Sequence, residues 1–410
     1  MTIMHASLVA VLVTAAFVPG SVAPAQTGRA SVRVVDGVLT YRDAPGRADS
    51  VFLTSTASSG ETFDVDVASA TVMHAGAGCM RVGAYRVTCS GVVSAAIFLG
   101  GGNDTLGVDS GALRRVVQGG SGNDRLFGGY GHDVLRGGAG DDEVDAGVSD
   151  EAIVRGGPGQ DFLGGSSGPD TLIGGDGGDG LIGRAGPDHL LGGRGNDLVV
   201  GFHAGNIGGT PSGPDTDVLE GGLGVDLLEG GPAADRLIGG PGSDSLDGGG
   251  GSDVFRADPG SDFINGGGSS GRDTVDYSRR VRPVNVTDDR IANDGVTGER
   301  DDVTVVKAVL GGSGDDSVSI DVLAPARLFG NDGNDTLSTA VGGAIFGGHG
   351  DDNLIASGAS TIVRGEAGDD HLSTADGIPD IDSCGPGDDS VDADASDDVS
   401  ANCEDVTVAP

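Results

Sequence analysis

The chain has 410 residues, of which 80 are glycine, none is tryptophan and 4% are aromatic, and its formal charge is −38. That composition excludes an ordinary globular core of this length and leaves either a disordered chain or one held together by something outside the amino-acid list. Lys307 is the only lysine, which excludes a nucleic-acid partner on charge grounds and makes cations the natural one.

Residues 1–25 read as an export signal. An apolar run from Leu8 to Val18 precedes Ala23-Pro24-Ala25, a small-x-small cleavage pattern, and the run is too short to span a bilayer. The mature chain is therefore expected to be secreted, with no membrane span. Residues 26–98 form a β module without repeats. Ser31 to Val35 and Val38 to Tyr41 alternate around Asp36-Gly37, a two-residue hairpin signal. Val51 to Leu53 and Phe63 to Val67 continue the pattern, and Cys79 and Cys89 flank another strand-turn-strand around Gly83. Four cysteines in an exported chain favour disulfides.

From residue 99 to 277 runs a nine-residue repeat, clearest in GGSGNDRLF, GGYGHDVLR and GGAGDDEVD between Gly119 and Asp145. Each unit has glycine at positions 1, 2 and 4, Asp at position 6 and an apolar residue at position 8. A fixed period marks a structural unit that buries its apolar face only against its neighbours. The glycines permit positive φ and a tight turn that gathers carbonyls, and Asp adds a hard carboxylate oxygen, a donor set that suits Ca²⁺. Leu126, Leu135 and Val144 at position 8 are expected to stack inward. These residues closely resemble the RTX (hemolysin-type) calcium-binding nonapeptide, GGxGxDxUx with U apolar. The resemblance implies an all-β chain: a parallel β-roll, or β-solenoid, in which two nonapeptides make one coil and each ion sits between turns of adjacent coils.

An insertion from Phe202 to Thr216 interrupts the array as a surface loop. Residues 278–309 have strand-like alternation, more arginine and few glycines, and resemble the spacer between RTX blocks in secreted actinobacterial-type proteins. A second block fills residues 310–373, and a tail at residues 374–410 carries Cys384 and Cys403. These two cysteines are 19 residues apart, close to one coil of two nonapeptides. Their Cα atoms are expected about 4.8 Å apart on neighbouring coils, within disulfide range, which leaves Cys79 to pair with Cys89.

Enzyme motifs arise by chance in such glycine-rich text. Gly164 to Gly168 and Gly267 to Gly271 match GxSxG, but no helix pattern follows either one, as a nucleophile elbow requires. Gly175 to Gly180 matches GxGxxG but lies inside the array. No HExxH is present. His132, His189 and His349 fall at variable repeat positions, and paired acids such as Asp141-Asp142 recur too often to be a catalytic pair.

The expected calcium ligands are Asp104, Asp124, Asp142, Asp161, Asp179, Asp197, Asp226, Asp244 and Asp262 in the first block, and Asp316, Asp335, Asp352, Asp370 and Asp389 further on. Steps of 18, 19, 18 and 18 residues link Asp124 to Asp197, and all five head well-formed turns on one edge of the roll. The alternate edge has poorer turns, so Asp133, Asp170, Asp188, Asp235 and Asp253 are weaker candidates, and calcium is expected along the first edge. Stacked carboxylates repel by roughly 1 to 3 kcal/mol per neighbouring pair, and a divalent ion between them converts repulsion into folding free energy. The chain is thus expected to be extracellular and calcium-folded, structural or adhesive rather than enzymatic, with a surface glycan or another copy of itself as partner. The alternative is a secreted enzyme whose catalytic part is the N-terminal module.

Overall fold

A computed structural model describes residues 30–43, 48–55, 62–67, 74–83, 85–108, 113–148, 151–202, 216–268, 271–321 and 325–409. The expected export signal and most of the insertion, residues 203–215, lie outside them. Every regular element among the described residues is a strand, and no helix there is long and apolar enough to cross a membrane. The strands form a parallel β-solenoid with sheets of 19, 14 and 8 strands.

The long sheet is parallel from Val38–Arg42 through Ser94–Gly101, Arg114–Ser121 and His132–Ala139, and runs on to Asp398–Val399. The 14-strand sheet faces it. Its parallel part starts at Ser50–Ser55, passes through Thr105–Val108 and Arg125–Phe127, and ends on Asp302–Thr304. The third sheet takes over this face with Val284–Thr287 and Ser317–Ile320 and closes on Asp405–Ala409. The chain alternates between faces, so each coil contributes one strand to each.

Position 8 explains why this packs. Leu126, Val144, Leu163, Leu181 and Val199 from one face and Leu135, Val154, Leu172 and Leu190 from the other are all fully buried. Through these coils the core is a column of aliphatic side chains two residues wide, and Phe255 takes the same inward position beside Leu237 further along. Position 2 explains the glycines: Gly138 has φ +128°, and a Cβ there would drive into the carbonyl oxygen of Gly120 on the preceding coil.

The two ends of the repeat region join the same architecture. Val38–Arg42 and Ser50–Ser55 of the N-terminal module are the first parallel strands of the two faces, with Leu39, Tyr41, Val51 and Leu53 buried as position-8 residues are. The antiparallel strands Thr62–Val67, Arg86–Ser90 and Cys79–Arg81 extend the second face outward. In the spacer, Val284–Thr287 and Gly295–Val296 form an antiparallel pair, while Ala308–Leu310 keeps the long sheet continuous. Both expected disulfides are present: Cys79 with Cys89 across directly paired strands, and Cys384 with Cys403 at a Cα separation of 5.2 Å.

Candidate metal centre

Each position-6 aspartate sits where the glycine turn enters a strand, and its two oxygens have different fates. Oδ1 accepts the backbone N–H of the equivalent residue one coil earlier: Asp104 donates to Asp124, Asp124 to Asp142, Asp142 to Asp161, Asp161 to Asp179 and Asp179 to Asp197, all at 2.7 to 2.8 Å. Asp226, Asp244 and Asp262 continue this first column, which closes on Asp301. The distal face repeats it through Asp316, Asp335, Asp352, Asp370 and Asp389, capped by Glu404. All the stronger sequence candidates therefore lie in two straight runs along one edge.

The second edge carries its own column, in which Asp133, Asp170, Asp188, Asp217, Asp235, Asp253 and Asp273 follow the same bonding rule. Ala152 interrupts it between Asp133 and Asp170. From Asp188 to Asp273 this column is as regular as the first. The sequence contrast between edges is therefore not a contrast in backbone geometry there.

Oδ2 is the informative atom. It is buried without a hydrogen-bond partner in Asp104, Asp124, Asp142, Asp161, Asp179, Asp197, Asp226 and Asp244 of the first column. The same holds for Asp253 and Asp273 in the second and for Asp335, Asp352, Asp370 and Asp389 on the distal face. A buried carboxylate oxygen with no donor costs a large desolvation penalty unless a cation meets it. Carbonyls stand beside it: a Cβ built on Gly192 would lie 2.5 Å from Asp197 Oδ2 and 2.6 Å from the carbonyl oxygen of Gly221 on the next coil. Among the described residues no three or more His, Cys, Asp or Glu side chains gather as a metal cluster. The donors available at each interval are thus carboxylate and carbonyl oxygens, the set that a hard cation such as Ca²⁺ prefers. These residues fit calcium.

Electrostatics agree. Burial pushes the Asp142 carboxyl up to about 7, with Asp124, Asp161 and Asp141 adding repulsion and the Asp124 amide pulling the other way. Burial likewise raises Asp335 and Asp352 to about 7 and Asp104 to about 8, each with help from neighbouring acids.

Three candidates differ because the protein satisfies their second oxygen itself. Arg115 donates to both oxygens of Asp133. Ser166 donates its hydroxyl and its amide to Asp170, so the GxSxG serine is a carboxylate partner. The amide of Gly312 donates to Asp316 Oδ2 at 2.6 Å.

Sequence reasoning missed Asp49, Asp217, Asp273 and Asp301, which lack a full glycine turn ahead of them. Each stands two residues before a buried apolar residue, namely Val51, Leu219, Val275 and Val303. That Asp-x-apolar spacing was the available signal. Asp380, in the second-edge register near the C-terminus, was hidden because the core position after it holds Asp382.

Comparison with curated proteins found no match. The RTX calcium-binding nonapeptide repeat matches at residues 118–150, 155–189, 173–201, 212–246, 238–276 and 327–343, which take in Asp124 to Asp262 of the first column, Asp133 to Asp273 of the second and Asp335 of the distal run. The columns and their buried carboxylate oxygens thus belong to a chain that carries RTX calcium-binding nonapeptide repeats in several copies.

Proposed function

We propose that this calcium-binding repeat protein is exported, folds on meeting calcium outside the cell, and serves as a structural or adhesive rod rather than an enzyme. The observation that carries the reading is the file of buried Oδ2 atoms facing carbonyls from coil to coil. Bound calcium supplies the positive charge that these oxygens lack. The chain's own residues do the rest: the Oδ1 bonds hold each carboxylate in register, and the position-8 aliphatics exclude water from the core behind it. The −38 charge keeps the metal-free chain expanded by self-repulsion.

Export is supported by the apolar leader and the two disulfides. The non-enzymatic reading is supported by the role of Ser166 and by the way strands of the N-terminal module are built into both faces. The rod surface would meet a surface glycan or a second copy of the chain.

Circular dichroism during a calcium titration tests the folding part, with β-structure expected to appear at about 10⁻⁴ to 10⁻³ M, the range of extracellular modules. A spectrum already β-rich in excess chelator rejects it. Retention of the folded chain on the native cell surface, with release by chelator, tests the adhesive part; retention indifferent to calcium rejects that.

A further inference from the structure

Two residues in the second column carry the wrong charge for it. Strand pairing aligns Arg115 with Asp133 and Lys307 with Asp273, so a cation occupies the position-6 register at each end of the run from Asp133 to Asp273. The backbone follows the aspartate pattern in both places. The Arg115 amide donates to Asp133 Oδ1, as each acid does to the next, and the amide of Arg327 donates to the Lys307 carbonyl one coil on.

The side chains turn inward. Arg115 is fully buried, and its Nη1 lies 2.6 Å from the Tyr130 carbonyl oxygen, 2.9 Å from that of Gly128 and 3.2 Å from that of Leu113. The same nitrogen is 3.2 and 3.4 Å from the two oxygens of Asp133. Gly128, Tyr130 and Asp133 are positions 1, 3 and 6 of one GGYGHD turn, and Leu113 belongs to the preceding coil. Five oxygens from two coils thus surround one positively charged nitrogen, with the mixture of carbonyl and carboxylate that the other intervals offer to calcium. Lys307, only 8% exposed and the single lysine of the chain, sends its Nζ back to the carbonyl oxygen of Gly271 at 2.5 Å, in the turn that carries Asp273.

We propose that Arg115 and Lys307 are built-in cations that take the place of calcium at the two ends of this column. These two intervals bind no ion and hold their coils together without one, while the intervals between them depend on metal. The arrangement makes chemical sense at column ends, where the adjoining coil presents Ala95 or Ala326 in place of a second carboxylate and an ion would be held weakly. A covalently attached cation cannot dissociate, so the ends of the column stay closed when calcium is low. The inference rests on the calcium reading of the remaining intervals.

The test is to restore the acid and count ions. Arg115→Asp and Lys307→Asp are each expected to bind one more calcium per chain than the unaltered protein by equilibrium dialysis, and the double variant two more. Folding of each variant is expected to need a higher calcium concentration. Arg115→Lys, which keeps the charge, is expected to leave the count unchanged and serves if an Asp variant fails to fold even in excess calcium. An unaltered count in the Asp variants, or a gain of one ion in Arg115→Lys, overturns the proposal. If the unaltered protein binds no calcium, the broader calcium reading fails instead, and the two failures are told apart by that baseline.

Discussion

The amide of Asp124 donates to Oδ1 of Asp142, 18 residues later, at 2.7 Å. The same bond joins Asp197 to Asp226 across 29 residues at 2.8 Å, and Asp262 to Asp301 across 39 at 3.0 Å. The column therefore keeps its bonding rule across insertions of different length. One carboxylate oxygen sets the register of coil on coil and the other is left for a cation, so folding and metal binding are one process.

Acid should substitute for calcium in part. Burial raises the carboxyls of Asp142, Asp335 and Asp352 in these columns to about 7, above the ordinary value of about 3.9. A group raised on folding contributes stability below its unfolded pKa and loses it as pH rises through its folded one. In chelator, β-structure is therefore expected to increase as pH falls from 8 toward 5, while calcium affinity falls over the same interval because protons compete for the same oxygens. Circular dichroism against pH, with and without chelator, checks both trends; metal-free β-structure that declines on acidification contradicts the first.

Gly138→Ala is expected to destabilise the calcium-loaded protein by about 1 to 3 kcal/mol or more, because a Cβ at φ +128° meets the Gly120 carbonyl and neither backbone can retreat. Gly83→Ala is the control, since its φ is not positive and its Cβ would meet nothing within 4 Å. Equal melting temperatures for the two variants would show that the coil spacing is looser than this.

Much of this was legible in the sequence because the repeat ties three requirements to fixed positions: backbone reversal, a carboxylate and an inward apolar residue. Asp124 to Asp197 follow from that period, and the Cys384–Cys403 bridge from the period together with the two-repeat coil that the resemblance implies. What stayed hidden obeys the same packing with different chemistry. Val38–Arg42 and Ser50–Ser55 stack on the roll through alternating apolar residues without glycine turns, so nothing marks them as solenoid strands. Arg115 and Lys307 cannot be read as column members from charge, since their register appears only through strand pairing. Arg184 and Asn331 stand at second-glycine positions with φ of 86° and 77° and break the motif, yet keep the turn.

Reducing the Cys384–Cys403 bridge is expected to loosen only the last coil. Among the described residues the strand Asp405–Ala409 forms an edge of the third sheet, paired with Ser390–Asp394 alone. The loop-entropy model gives about 3 kcal/mol for a loop of this length. A Cys384→Ala, Cys403→Ala variant should show faster hydrogen exchange in residues 398–409 while residues 113–202 keep their protection. Uniform loss across both regions would mean that the end coil nucleates the whole rod.

Removing one acid at a time should separate metal-dependent intervals from self-satisfied ones. In Asp179 and Asp253, on opposite edges, Oδ1 accepts the amide of the preceding coil and Oδ2 is buried without a donor. Asp179→Ala and Asp253→Ala are therefore expected to raise the calcium midpoint for folding by similar factors, although the sequence favours the first edge. Asp170 is the contrast, because Ser166 already occupies its second oxygen at 2.9 Å. Asp170→Ala should lower stability through lost hydrogen bonds, about 1 to 3 kcal/mol for charged partners, with little change in the number of ions bound. A midpoint that moves for Asp179→Ala and stays fixed for Asp253→Ala would show that calcium follows one edge after all, and that the second column holds its register by hydrogen bonds alone.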